Sequence, residues 1–129
     1  MTATSPLKGR KSPSPAELGV EVGTIFASSW GYDETRVSWY QVTKVLPASV
    51  KVRQVAGRVV SGEGSPTVYV VPVPDAFYQD VQYRGGEKLH RLTSPSWAGG
   101  TAYFTVNSYA SASVWDGTPQ YQTGAGWGR

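Results

Sequence analysis

The chain has 129 residues, 16% of them charged and 12% aromatic, with 15 glycines, 9 prolines and no cysteine. That is one domain's worth of strand- and turn-forming sequence, without disulfides, thiolate metal sites or an apolar run near the roughly 20 residues of a membrane-crossing helix. The formal charge of +3 lies mostly at the ends: without Lys8, Arg10, Lys11 and Arg129, eight basic side chains face nine acidic ones.

Residues 1–17 hold the steps Ser5-Pro6, Ser12-Pro13 and Ser14-Pro15, with Leu7 as the one large apolar residue before Leu18. Such a basic Ser/Pro-rich arm buries too little surface to offset its ordering entropy, so it reads as disordered, or as extended along a partner. It has no apolar h-region, so no signal peptide is expected and the expected compartment is the cytoplasm.

From Leu18 to Tyr121 the pattern is that of one β domain. A first strand runs through Thr24-Ile25-Phe26-Ala27 into the turn SSWGYD, with Gly31 and Asp33 as turn residues. Val37 to Leu46 and Val50 to Ala56 form a hairpin about Leu46-Pro47-Ala48-Ser49. Near that turn Val45, Val50 and Val52 share one face, and Lys44, Lys51 and Arg53 the other. The phase slips between Val42 and Val45 and again between Val52 and Val55, which predicts paired β-bulges of the kind that bend strands into small barrels.

Ser61 to Pro66 reads as a loop. Thr67 to Val73 reads as a strand that Pro72 and Pro74 confine to an edge or a strand end. Phe77 to Arg84 alternates as a strand, and Gly85-Gly86 predicts a two-residue turn into Lys88 to Leu92. A loop carrying Trp97 leads to strands at Ala102–Val106 and Tyr109–Trp115, closed by Asp116-Gly117-Thr118-Pro119. Residues 122–129 read as a Gly-rich tail carrying Trp127. About seven or eight short strands result, with turn signals at the spacing of all-β folds and no helical periodicity. The expected architecture is a small bulged antiparallel β-barrel or sandwich, SH3-like or similar.

Catalytic patterns are sparse. His90 is the one histidine, flanked by Leu89 and Arg91, and reads as an ordinary strand residue. There is no G-x-S-x-G elbow, H-E-x-x-H, EF-hand or P-loop, and the glycines at 124–128 precede no helix. Asp33 and Glu34 are adjacent, which does not aim two carboxylates at one substrate. The expectation is a protein that is not an enzyme and needs no cofactor or metal.

Binding residues are better marked. Arg36, Lys44, Lys51, Arg53 and Arg58 form a run uninterrupted by acid between Glu34 and Glu63, and Tyr32, Trp39 and Tyr40 lie among them. Basic side chains interleaved with aromatics on a small barrel are how oligonucleotide-binding surfaces are built. The alternative, favoured by the neutral folded body, is that the lysines keep a solvated face soluble and the aromatics are core. Trp97 in its Pro/Gly loop and Trp127 in the tail stand where burial is hardest, and read either as caps on one end of the core or as interface anchors.

The string GTIFASSWGYDETRVSWYQV (Gly23 to Val42), with NSYASASVWDGTPQY (Asn107 to Tyr121), resembles small proteins encoded by phages and other mobile elements. The pattern is S-S-W-G-Y-D-x-T, then Y-Q-V, and later W-D-G-x-P. It is matched here by Trp30, Gly31, Tyr32, Asp33, Thr35, Tyr40, Trp115, Asp116 and Gly117. The resemblance implies a compact β protein from an accessory gene and transfers no catalytic residue. It places first an accessory protein that docks on a host protein, for example to blunt a defence system. Nucleic-acid binding by the basic hairpin comes second. A virion decoration protein with an extended arm comes third, and no membrane partner is expected.

Overall fold

A computed structural model describes residues 14–31, 34–79, 85–93, 102–107 and 110–124. Most of the N-terminal arm, the SSWGYD tip at Tyr32 and Asp33, residues 80–84 of the strand expected before Gly85, and the segments carrying Trp97 and Trp127 lie outside the described residues. Of that expected strand, Phe77 instead ends the preceding strand, and Tyr78 and Gln79 are not in a strand.

The fold is all-β and antiparallel, as the sequence predicts. Eight strands follow a 3-10 turn at Ala16–Leu18: β1 Ile25–Trp30, β2 Arg36–Val45, β3 Ser49–Ser61, β4 Thr67–Phe77, β5 Lys88–Arg91, β6 Tyr103–Asn107, β7 Ala110–Val114 and β8 Gln120–Thr123. Their order is β6-β7-β1-β2-β3-β4-β8, with β5 also on β3. Body and ends divide differently from the expected boundaries. Pro15 is buried and its carbonyl accepts from Val20 N–H, while β8 forms where a tail was expected and pairs with β4.

The long strands β2 and β3 serve two cores on opposite faces of the sheet. On one face Phe26, Val42, Val50 and Val52 pack with Val20, Leu92, Ala102, Phe104 and Ala112. The strands around this core, β6-β7-β1-β2-β3-β5, are drawn toward a ring by one bridge, Thr93↔Tyr103, with both hydrogen bonds at 2.8 Å. On the other face Trp39, Val55, Val68 and Val70 form a second core. There β3 continues through β4 to β8, and β8 returns to the start of β2. Thr123 N–H donates to Thr35 O (2.9 Å), and Val37 N–H donates to the Gln122 side-chain oxygen (3.0 Å).

This arrangement explains the two phase slips differently. The first is a bulge, since the β2–β3 register breaks between Val42 and Lys44. The second is not a bulge between β2 and β3: Trp39 to Val42 pairs without interruption with Val55 to Val52. Val52 and Val55 are both buried because each faces a different core. Successive side chains point to opposite faces, so a strand shared by two cores changes its hydrophobic phase where one core ends and the other begins.

β4 runs on past its prolines. Its pairing with β3 jumps from Gly57↔Pro72 to Val55↔Phe77, leaving a bulge of Val73, Pro74, Asp75 and Ala76. β8 covers only Thr67 to Val70, so Pro72 and Pro74 still sit where no ladder bond is lost. Asp75 has φ 66° and is held by buried Gln41, which donates to its carboxylate (2.9 Å) and accepts its N–H (2.8 Å).

The W-D-G-x-P stretch is a clasp on the second core. Trp115 meets Trp39 edge-on at 5.6 Å, and its indole N–H donates to Thr118 O. Asp116 accepts from both the N–H and the hydroxyl of Thr118, and these bonds hold its carboxyl below the ordinary range.

Candidate functional site

Beyond the pair Trp39↔Val55, β2 and β3 part. Residues 36–38 stay on β1 and residues 57–61 stay on β4. The fork between them is a cavity of about 450 Å³, with Arg36, Ser38, Gln54, Arg58 and Tyr78 among its walls. Gly57 lies at the fork because a Cβ there would come within 2.6 Å of the Trp39 indole nitrogen.

Two smaller cavities adjoin it. One, of about 220 Å³, is lined by Ser28, Trp30, Ser38, Tyr40, Gln54, Val106, Asn107 and Ala110. The other, of about 140 Å³, includes Tyr40, Gln54, Gly86, Lys88 and His90. Gln54 lines all three, so they adjoin one another around its side chain, as a groove in three parts at the end of the first core. The registers Ser28↔Ser38, Trp30↔Arg36 and Tyr40↔Gln54 put these side chains on the face of Phe26 and Val42. Along that face the inward residues change from apolar to hydroxyl and amide, and then to Trp30 and Arg36.

The groove's charge is one-signed. Arg36, Arg58 and Lys88 line it with the neutral ring of His90, and among the described residues no carboxylate does. Behind this wall Arg36 pairs with Glu34 at 3.0 Å, in a half-exposed bridge that leaves part of the guanidinium open. The His90 ring stacks on Phe104 at 4.2 Å. Burial, and then the nearby Lys88 charge, hold its pKa below 6.5. Trp30 is 38% exposed, and its indole N–H donates to Ser38 Oγ (2.9 Å). Gly31 follows it with φ 124°, at a position where any Cβ would collide with Glu34 O.

Of the residues singled out from sequence, the structure brings Arg36 and Arg58 together at the groove. Lys44 and Lys51 stand directly opposite each other on the other face of the hairpin, as the alternation predicts. Glu87 approaches Lys51 at 4.0 Å and accepts from Thr43. Arg53 is a structural staple: it donates to Gly85 O (2.9 Å) and Tyr78 O (3.1 Å), with its guanidinium 4.5 Å from the Phe77 ring centre. Trp39 and Tyr40, adjacent in sequence, go to opposite faces, Trp39 into the second core. The basic hairpin and these two aromatics therefore do not share a surface. Tyr32, Trp97 and Trp127 lie outside the described residues.

Sequence reasoning passed over Ser28, Ser38, Gln54 and Lys88, and marked Trp30 only as part of the SSWGYD motif. The signal available was polar residues at inward positions, as in Val50-x-Val52-x-Gln54. Among the described residues no three His, Asp or Glu side chains converge as metal ligands do, and no helix is long and apolar enough to cross a membrane. Comparison with protein-family models, curated proteins and solved structures found no match.

Proposed function

We propose that the protein is a binding module, not an enzyme, and that the groove centred on Gln54 receives a single-stranded nucleic acid. One arrangement supports this reading: exposed and half-exposed rings lie between separate cations in a trough that no carboxylate lines among the described residues. Trp30, Tyr40 and Tyr78 offer faces or edges to bases. Arg36 and Arg58 at one end, with Lys88 at the other, offer charge to phosphates. Stacking and backbone charge together are how sequence-tolerant single-strand binders work. The groove replaces the basic hairpin as the proposed surface.

The test is fluorescence anisotropy of labelled single-stranded DNA at several salt concentrations. Binding is expected to be strongest at low salt, with log affinity falling by about 0.7 per phosphate contact for each decade of salt. Arg36→Ala and Arg58→Ala are each expected to reduce that slope by about one contact, while Lys44→Ala leaves it unchanged. No binding by the parent protein at low salt refutes the reading.

A second reading is docking on a host protein, the role the phage-like resemblance implies. Its support is that Tyr69 and Tyr121 are both exposed and directly paired on β4 and β8. Tyrosine is over-represented in interface hot spots. A stoichiometric partner recovered from host lysate and lost with Tyr69→Ser plus Tyr121→Ser supports this role; one retained by the double variant argues against this surface.

A further inference from the structure

Resting on the single-strand reading, we propose that the cavity beside Trp30 is a base subsite, in which one nucleobase turns out of the strand and hydrogen-bonds to Ser28 Oγ. Ser28 is 1% exposed, and its hydroxyl is one of two buried side-chain polar atoms without a hydrogen-bond partner among the described residues. It lies directly opposite Ser38, whose own hydroxyl accepts from the Trp30 indole, and both serines are among the residues that line the cavity.

Leaving a buried hydroxyl unpartnered is costly, and most buried polar groups in folded proteins are bonded. The surroundings identify what completes this one. Trp30 and Tyr40 bring aromatic rings to its lining, and Gln54 and Asn107 bring amides. Among the described residues no charged side chain lines this cavity, although cations line both neighbours. A phosphate is therefore better matched outside, by Arg36, Arg58 or Lys88. A flat, neutral ring with donors and acceptors on its edge is matched inside. A hydroxyl both donates and accepts, so Ser28 can serve either kind of edge atom.

The experiment compares binding of intact single-stranded DNA with strands of the same length carrying abasic sites, using the full chain at low salt. The parent protein is expected to prefer intact strands about tenfold or more, the scale of one lost base contact. Ser28→Ala is expected to bind intact strands about fivefold more weakly and abasic strands unchanged, without losing thermal stability, because it removes an unpartnered hydroxyl. Ala110→Leu, which fills the cavity from β7, is expected to erase the intact-over-abasic preference and serves if the first variant folds poorly. Equal binding of intact and abasic strands, or a preference that both variants keep, overturns the subsite and leaves the groove standing. Failure of the parent protein to bind any strand overturns both.

Discussion

Replacing Trp39 with alanine tests the two-core architecture most severely. Trp39 is 2% exposed and is the largest side chain of the second core, against Val55, Val68 and Val70. Removing a buried tryptophan costs about 3–5 kcal/mol in lost transfer energy and residual cavity. Total stability for a chain of this size is on the order of 10 kcal/mol, so the variant folds with its thermal midpoint lowered by roughly 10–20 °C. The edge-on contact with Trp115 adds a specific coupling of about 0.5–1.5 kcal/mol. Urea unfolding of Trp39→Ala, Trp115→Ala and the double variant measures it. A parallel cycle with Phe104→Ala, in the other core, is expected to be additive within about 0.5 kcal/mol. A Trp39→Ala loss below about 1 kcal/mol, or coupling to Phe104 as large as to Trp115, refutes the division into two cores.

Gln41→Ala removes both bonds that hold Asp75 in its left-handed conformation. Stability is expected to fall by about 1–3 kcal/mol with an unchanged urea m-value; no change in midpoint refutes the clamp. His90 is held neutral in the folded state, with its pKa below the unfolded value of 6.5. Protonation therefore favours the unfolded chain. The contribution of His90 is complete above pH 6.5 and is lost as pH falls from there toward the folded pKa. The urea midpoint of the parent protein is expected to drop over that window relative to His90→Gln, and parallel pH profiles refute the assignment.

The sequence is most legible where one strand serves one core. Around the Leu46–Ser49 turn the alternation of Val45, Val50 and Val52 against Lys44 and Lys51 is borne out residue by residue, and so is the bulge before Lys44. It misleads where strands are shared. Val55 looks out of phase with Val52, yet both are buried, because burial on two faces hides the period-2 signal. Arg58 to Ser61 and Gln120 to Thr123 reveal themselves as strands only once β3, β4 and β8 are paired. The groove is still less legible. Arg36 and Arg58 stand out as charges, but Ser28, Ser38 and Gln54 acquire meaning only when three registers line them up at the end of the first core. Arg53 makes the opposite point: its charge suggested a ligand, and carbonyl oxygens and an aromatic ring use it internally.

The location of the recognition surface is tested most directly by an amide and indole NMR titration of the labelled protein with a short single strand. The expected perturbations fall on the Trp30 indole N–H, Ser38, Gln54, Arg58 and Lys88, and spare Lys44 and the Leu46–Ser49 turn. Shifts confined to the hairpin lysines, or an unmoved Trp30 indole at saturation, contradict the groove.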